Sequence, residues 1–140
     1  MKTIQTVEEI KNYIRMLLKK IIGVRDTISG RRYSDIIEIA KDQIRKTYMS
    51  DEISLNTVAA EVGMSPSYFS SIFSKEMGKT FVEYLTEIRM DRAKELLMCS
   101  SMKTSEIGYE VGYKDPHYFS YIFKKTQNCT PKEFRARGKE

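Results

Sequence analysis

Two short sets of side chains have the types and spacing for molecular recognition. Ser67, Ser70 and Ser71 form the first, and His117, Ser120 and Tyr121 the second. Hydroxyl, imidazole and phenol groups each donate and accept hydrogen bonds. Nothing beside them turns recognition into catalysis. His117 is the only histidine, and no carboxylate pair, nucleophile–base arrangement or phosphate loop stands out. No Asp, Cys or second His stands at ligand spacing from His117, so neither a metal site nor a cofactor is expected. The chain is therefore not expected to be an enzyme. A lone outward serine is usually only solvated. Repetition is what singles these positions out.

The two sets belong to a unit that occurs twice. Val62-Gly63-Met64-Ser65-Pro66 leads into Tyr68-Phe69-Ser70, Ile72-Phe73 and Lys75. Val111-Gly112-Tyr113-Lys114-Asp115-Pro116 leads into Tyr118-Phe119-Ser120, Ile122-Phe123 and Lys124-Lys125, with one extra residue in the turn. Each reads as a short helix, a turn opened by glycine and a second helix, the helix-turn-helix pattern. In the second helix of each copy, Phe69, Ile72 and Phe73, or Phe119, Ile122 and Phe123, recur at i, i+3, i+4 and face a core. The remaining positions face outward, including Ser67, Ser70, Ser71 and Ser74 in one copy and His117, Ser120, Tyr121 and Lys124 in the other. Tyr68 and Tyr118 adjoin the core phenylalanines and read as packing residues.

A helix of this kind fits the DNA major groove, with residues near its N-terminus meeting base edges. Ser67, Ser70, Ser71, His117, Ser120 and Tyr121 are the candidate base-reading residues. Lys75, Lys79, Lys124 and Lys125 stand toward the helix ends, where phosphates flank the groove. The backbone N–H at Ser65 adds a phosphate site at a helix start. Asp115 suits a cap better than a phosphate contact, since its charge favours the helix N-terminus.

The elements that hold these helices are also helical. Ser34-Asp35 caps a helix with Ile36, Ile37, Ala40, Ile44 and Tyr48 inward. Ser29-Gly30-Arg31-Arg32 before it reads as a hinge. Asn56-Thr57 opens the short helix carrying Val58, Ala59 and Val62, and Gly63 closes it. Ser65-Pro66 starts the next helix, which runs to about Met77 before Gly78. Thr80 caps a long helix to about Cys99, with Phe81, Leu85, Ile88, Ala93, Leu96 and Leu97 inside. Thr104 caps the second short helix, with Ile107 and Val111. Asp115-Pro116 starts a helix to Thr126, and Thr130-Pro131 opens a last one with Phe134 inside. Met64, Met77, Met90 and Met98 read mostly as core filler. No β-alternation of useful length occurs. The expected fold is all-α: two helix-turn-helix subdomains joined by a long linker helix and preceded by an amphipathic N-terminal helix. About 20 residues of linker helix span about 30 Å, close to one DNA turn of about 34 Å. The two recognition helices could then enter successive major grooves.

In the N-terminal segment, Val7, Ile10, Ile14, Leu17, Ile21, Val24 and Ile28 alternate at intervals of three and four, an a/d seam. β-Branched residues at every a position favour a parallel two-stranded coil. Lys11, Lys20 and Arg25 at flanking positions have no acidic answer. Residues 7–28 thus form either a homodimer seam or a helix whose apolar face packs on a domain. The expected division is 1–33 as a linker or signalling helix and 34–140 as the DNA-binding domain.

Composition bounds these readings. A chain of 140 residues is one ordinary domain or two very small ones. The net charge of +5 resides in residues 1–33, which hold eight Lys/Arg and three Asp/Glu. Residues 34–140 are neutral, with sixteen of each. Bulk charge thus says little about the repeated unit. No apolar run is long enough to span a bilayer, so no membrane partner is expected. Cys99 and Cys129 read as reduced thiols of a cytoplasmic protein. The same helices docking partner proteins is the alternative function. It predicts an apolar outer face, and the outer positions are polar.

At these residues the chain resembles the AraC/XylS family of bacterial transcription regulators, over about residues 34–137. The resemblance rests on Ile107-Gly108-Tyr109-Glu110-Val111-Gly112-Tyr113, Tyr118-Phe119-Ser120, Phe123-Lys124-Lys125 and Thr130-Pro131-Lys132-Glu133-Phe134-Arg135. It implies seven helices in two helix-turn-helix subdomains joined by a long helix. It also implies sequence-specific binding to double-stranded promoter DNA and, commonly, activation through RNA polymerase. The base-reading positions it implies are again Ser67, Ser70, Ser71, His117, Ser120 and Tyr121. Asn128 replaces the usual glycine after the second recognition helix and suits the same left-handed cap. The N-terminal helix resembles the segment that joins a receiver or sensor domain to this domain in the response-regulator branch. A fragment of a larger regulator, lacking that domain, is the expectation.

Overall fold

A computed structural model describes the backbone of residues 3–21 and 25–138, and the side chains of residues 7–16 and 32–138. Among the described residues the secondary structure is entirely helical: α1 (Thr3–Ile21), α2 (Arg25–Thr47), α3 (Leu55–Glu61), α4 (Pro66–Met77), α5 (Phe81–Cys99), α6 (Thr104–Glu110), α7 (Pro116–Gln127) and α8 (Pro131–Gly138). The chain falls into two compact units, Met1–Ile36 and Ile37–Glu140.

In the first unit, Val7, Ile10 and Ile14 lie exposed on α1. The seam read from residues 7 to 28 does not run through one described helix. α1 ends at Ile21, Val24 lies outside the described residues and Ile28 belongs to α2. The hinge expected at Ser29-Gly30-Arg31-Arg32 is not one, because α2 is continuous through those residues. Gly30 costs such a helix only about 1 kcal/mol, which helical cooperativity absorbs. Ser34 and Asp35 are consequently exposed residues inside α2 and cap nothing.

The second unit has two aromatic cores threaded by one helix. Phe69, Phe73, Phe81 and Tyr84 pack ring to ring in the first, with centroids 5.5–6.3 Å apart. Met90, Ala93, Leu97, Ile107, Val111, Tyr113, Phe119, Phe123 and Cys129 form the second. Helix α5 supplies Phe81, Tyr84 and Leu85 from one half and Met90, Ala93 and Leu97 from the other. Each buried Leu, Ile or Phe contributes roughly 1.5–3 kcal/mol, so both ends of α5 are pinned.

Several inward residues are only half-buried: Ile36, Tyr48, Val62, Ile88, Leu96, Ile122 and Phe134. Of these, Leu96, Ile122 and Phe134 pack against the second core, which is too small to enclose every apolar side chain. The methionines are not mostly filler, since Met90 is buried, Met64 and Met77 are half-buried and Met98 is exposed.

The helix starts follow capping chemistry. Ser65 Oγ accepts from the Tyr68 N–H at 3.3 Å, with Pro66 at the first helical position. Thr80 and Glu83 form a reciprocal capping box: Glu83 N–H donates to Thr80 Oγ1 at 3.1 Å, and Thr80 N–H to Glu83 Oε1 at 3.4 Å. Thr80→Ala should lower stability by about 1 kcal/mol without changing the fold. Denaturant melting checks this, and an unchanged midpoint would mean that the box carries nothing. Two expected starts shift. Ser54, not Asn56-Thr57, caps α3, with Thr57 completing the box. Lys103 precedes α6 with no side-chain cap, and Thr104 is already helical. The αL residues Gly63, Gly78 and Asn128 sit where expected, with φ of 73°, 72° and 62°.

Candidate nucleic-acid interface

Two helical pairs, α3 with α4 and α6 with α7, repeat the same architecture. In each, a two-faced helix follows a glycine turn. Phe69, Ile72 and Phe73 anchor α4, and Phe119 and Phe123 anchor α7. Ser67 and Ser71 are exposed on α4, with Ser70 half-buried. His117 and Tyr121 are exposed on α7, with Ser120 half-buried. The anchors thus turn all six side chains away from full burial, three on each helix.

The two outer faces differ in chemistry. That of α4 is short and hydroxylic, which lets a ligand approach closely. That of α7 is aromatic. Tyr118 lies 5.9 Å from Tyr113 and 6.4 Å from Tyr121, centroid to centroid. The Lys125 ammonium sits 5.8 Å from the Tyr121 ring centre, in the range of a cation–π contact. Tyr118 is not the packing residue expected from its position. Half of it (51 %) is exposed, because it stands one helical step, about 100°, from the buried Phe119. Tyr68 is exposed to 38 %.

The cationic positions are not equivalent. Lys75, Lys124 and Lys125 are exposed. Lys79 donates to Glu87 Oε2 at 2.8 Å, and that carboxylate raises the ammonium's pKa above the usual lysine value. Its charge is already answered within the domain. The Ser65 hydroxyl, not its backbone N–H, makes the cap of α4, and Asp115 Oδ1 accepts from the His117 N–H at 2.9 Å. A carboxylate therefore closes the N-terminus of α7, while a neutral hydroxyl closes that of α4.

Two arginines, one of them (Arg135) within the motif of the resemblance but given no role there, tie the elements together. Arg135 on α8 donates to the carbonyls of Leu97 and Ser100 at 3.0 and 3.2 Å, satisfying the open end of α5. Arg89 on α5 is buried, with 8 % exposed. It donates from Nε to Tyr48 O at 2.9 Å and from Nη2 to Ser50 O at 3.0 Å, and lies 4.9 Å from the Tyr113 ring centre. A signal for it existed. Phe81, Leu85, Arg89, Ala93 and Leu97 recur at every fourth residue, so the arginine occupies an inward position. Burial pushes the Tyr113 hydroxyl above the usual phenol pKa, and the Arg89 cation opposes this.

Among the described residues, no cluster of His, Cys, Asp and Glu could hold a metal ion, and no helix is long and apolar enough to cross a membrane. Cys99 is exposed, Cys129 is buried, and both are free thiols.

A family model described as a helix-turn-helix domain matches residues 58–137. A regulator of Pseudoalteromonas carrageenovora, itself uncharacterised and described as HTH-type, is 37% identical over 71% of this chain and 58% of its own length. The arabinose operon regulatory protein of Salmonella typhimurium is 35% identical over 87% of this chain and 43% of its own. The chain thus spans less than two thirds of these relatives. Among solved structures, the C-terminal domain of AraT, a response regulator from Geobacillus stearothermophilus, superposes with a TM-score of 0.72. It is 36% identical and covers 73% of this chain and 84% of its own. The corresponding domain of the response regulator YesN from Fusobacterium nucleatum gives 0.69, with 35% identity over 70% and 95% of the two chains. With two glycine-turned helical pairs on one spacer helix, and these relatives beside it, the chain belongs to the AraC/XylS family of transcription regulators and comprises their double helix-turn-helix DNA-binding domain.

Proposed function

We propose that the chain regulates transcription, chiefly as an activator, by seating α4 and α7 in successive major grooves of a promoter duplex. The observation that carries this is the pair of outer faces, one hydroxylic and one aromatic with hydrogen-bonding ring groups, on two helices anchored alike. Helix α5, at 19 residues, spans about 29 Å at 1.5 Å per residue, a distance compatible with adjacent grooves about 34 Å apart. Ser67, Ser70 and Ser71 would read one block of bases, and His117, Ser120 and Tyr121 another. Lys75, Lys124 and Lys125 would meet phosphates, with Lys79 contributing less because Glu87 holds it. A protein-docking module would require an apolar outer face, and the hydroxyl face of α4 disfavours it.

In this reading residues 34–140 bind DNA, and residues 1–33 join them to a controlling domain. The relatives AraT and YesN, both described as response regulators, support a receiver in that place. RNA polymerase is the further partner that activation requires.

Enrichment of bound sequences from random duplexes tests the reading. Two blocks of preferred bases should emerge. Ser71→Ala and Tyr121→Ala should each lose about 1–3 kcal/mol at its own block, roughly five- to 150-fold in Kd. Lys75→Ala should weaken all duplexes alike and flatten the salt dependence. Enrichment of no sequence at moderate salt would overturn the proposal.

A further inference from the structure

The two turns share a design but not surroundings. A β-carbon added at Gly63 would meet nothing within 4 Å. One added at Gly112 would lie 2.6 Å from Tyr48 O and 2.8 Å from Arg89 Nη2. The second turn is therefore clamped where the first is open. Arg89 is the centre of the clamp. One edge of its guanidinium holds the carbonyls of Tyr48 and Ser50, in the segment that leaves α2. Its face packs on Tyr113, the residue after Gly112. On the exposed flank Lys114 pairs with Asp51 at 3.7 Å.

The contacts continue from the clamp to α7. Tyr113 lies 5.7 Å from Phe119, the buried anchor of that helix, and 5.9 Å from Tyr118 on its outer side. Tyr118 in turn neighbours Tyr121. Residues 48–51 thus touch the turn of the second copy, although the whole first copy separates them from it in sequence. A planar guanidinium suits the task, because it offers two donors in fixed geometry and a face that stacks on an aromatic ring.

We propose that Arg89 is a positioning residue for the second recognition helix: it fixes residues 48–51 against the Gly112–Tyr113 turn and so sets which bases His117, Ser120 and Tyr121 meet. The hydrogen bonds and ring contact of Arg89 go to Tyr48, Ser50 and Tyr113, and α4 supplies none of these partners. This rests on the reading of α4 and α7 as base-reading helices, and the test keeps the two separable.

Sequence enrichment from random duplexes is repeated with Arg89→Met and Arg89→Lys beside Ser71→Ala and Tyr121→Ala, each scaled to its folded fraction. Ser71→Ala and Tyr121→Ala identify which block belongs to which helix. Arg89→Met should blur the Tyr121 block about tenfold or more and leave the Ser71 block within about twofold. Arg89→Lys, which keeps the charge but not the fork, should lie between. A merely structural role would weaken both blocks together, and that result, or loss at neither block, overturns the proposal. If Ser71→Ala and Tyr121→Ala blur nothing, the base-reading assignment fails instead, and the clamp is rejected as a specificity device with it. Should Arg89→Met not fold, the exposed flank decides. Lys114→Glu should blur the Tyr121 block, and adding Asp51→Lys should restore it. No restoration points to a direct phosphate role for Lys114 and sinks the clamp.

Discussion

Phe119→Ala is expected to destabilise the DNA-binding unit by about 3–5 kcal/mol, a large part of the 5–15 kcal/mol typical of a domain. Phe119 is fully buried, and the second core is built around it. Its ring lies 5.7 Å from Tyr113 and 6.0 Å from Phe123. A β-carbon at Gly108 of α6 would come within 3.1 Å of it, so the short helix rests directly on the ring. Removing the ring leaves a cavity that α6 cannot fill, because glycine has no side chain to move into it. Thermal melting by circular dichroism should show a drop of roughly 12 °C or more, at about 4 °C per kcal/mol for a unit of this size. A drop under about 3 °C would mean that the two helices are not packed through Phe119.

The second large effect concerns the two turns. Gly112→Ala should cost about 3 kcal/mol or more, combining a backbone that L residues resist with a clash. Its φ is 109°, and its neighbours on the missing side chain's path are a backbone carbonyl and a buried guanidinium. Neither can move without breaking the bonds of Arg89. Gly63→Ala carries only the left-handed cost of about 1–2 kcal/mol, since its φ is 73° and the space beside it is open. Denaturant unfolding of the two variants side by side measures the difference. Equal losses would show that the second turn is not clamped.

Much of this was legible in the sequence, for identifiable reasons. Helix starts at Ser65-Pro66, Thr80 and Asp115-Pro116 were readable because capping is local chemistry. The inward phenylalanines and the exposed Ser67 and Ser71 followed from helical period alone, whereas Ser70 and Ser74, read as outward, are half-buried. The αL role of Asn128 followed from its place after α7. What escaped was non-local. Arg89 acts on carbonyls about 40 residues away, and no local rule pairs an arginine with a distant backbone. Gly63 and Gly112 look alike in sequence, yet only one is packed. Ser29-Gly30 looked like a break because composition was weighed without the cooperativity of the helix around it. Tyr118 looked internal because it adjoins Phe119, whereas one residue along a helix is a rotation of about 100°.

That rotation has a consequence for α5. Because the helix enters both cores without a joint, its residue count acts as a phase angle between the two heads, α4 and α7. One residue inserted between Leu85 and Ala93 would turn the second head by about 100° and advance it by 1.5 Å. Four would restore the facing to within about 40°, but lengthen the span by about 6 Å. A protein of this design cannot follow a drifting operator by small changes in its spacer. Under the proposed groove seating, the gap between the two DNA blocks would be built into the helix as a whole number of residues, and an operator would have to match it.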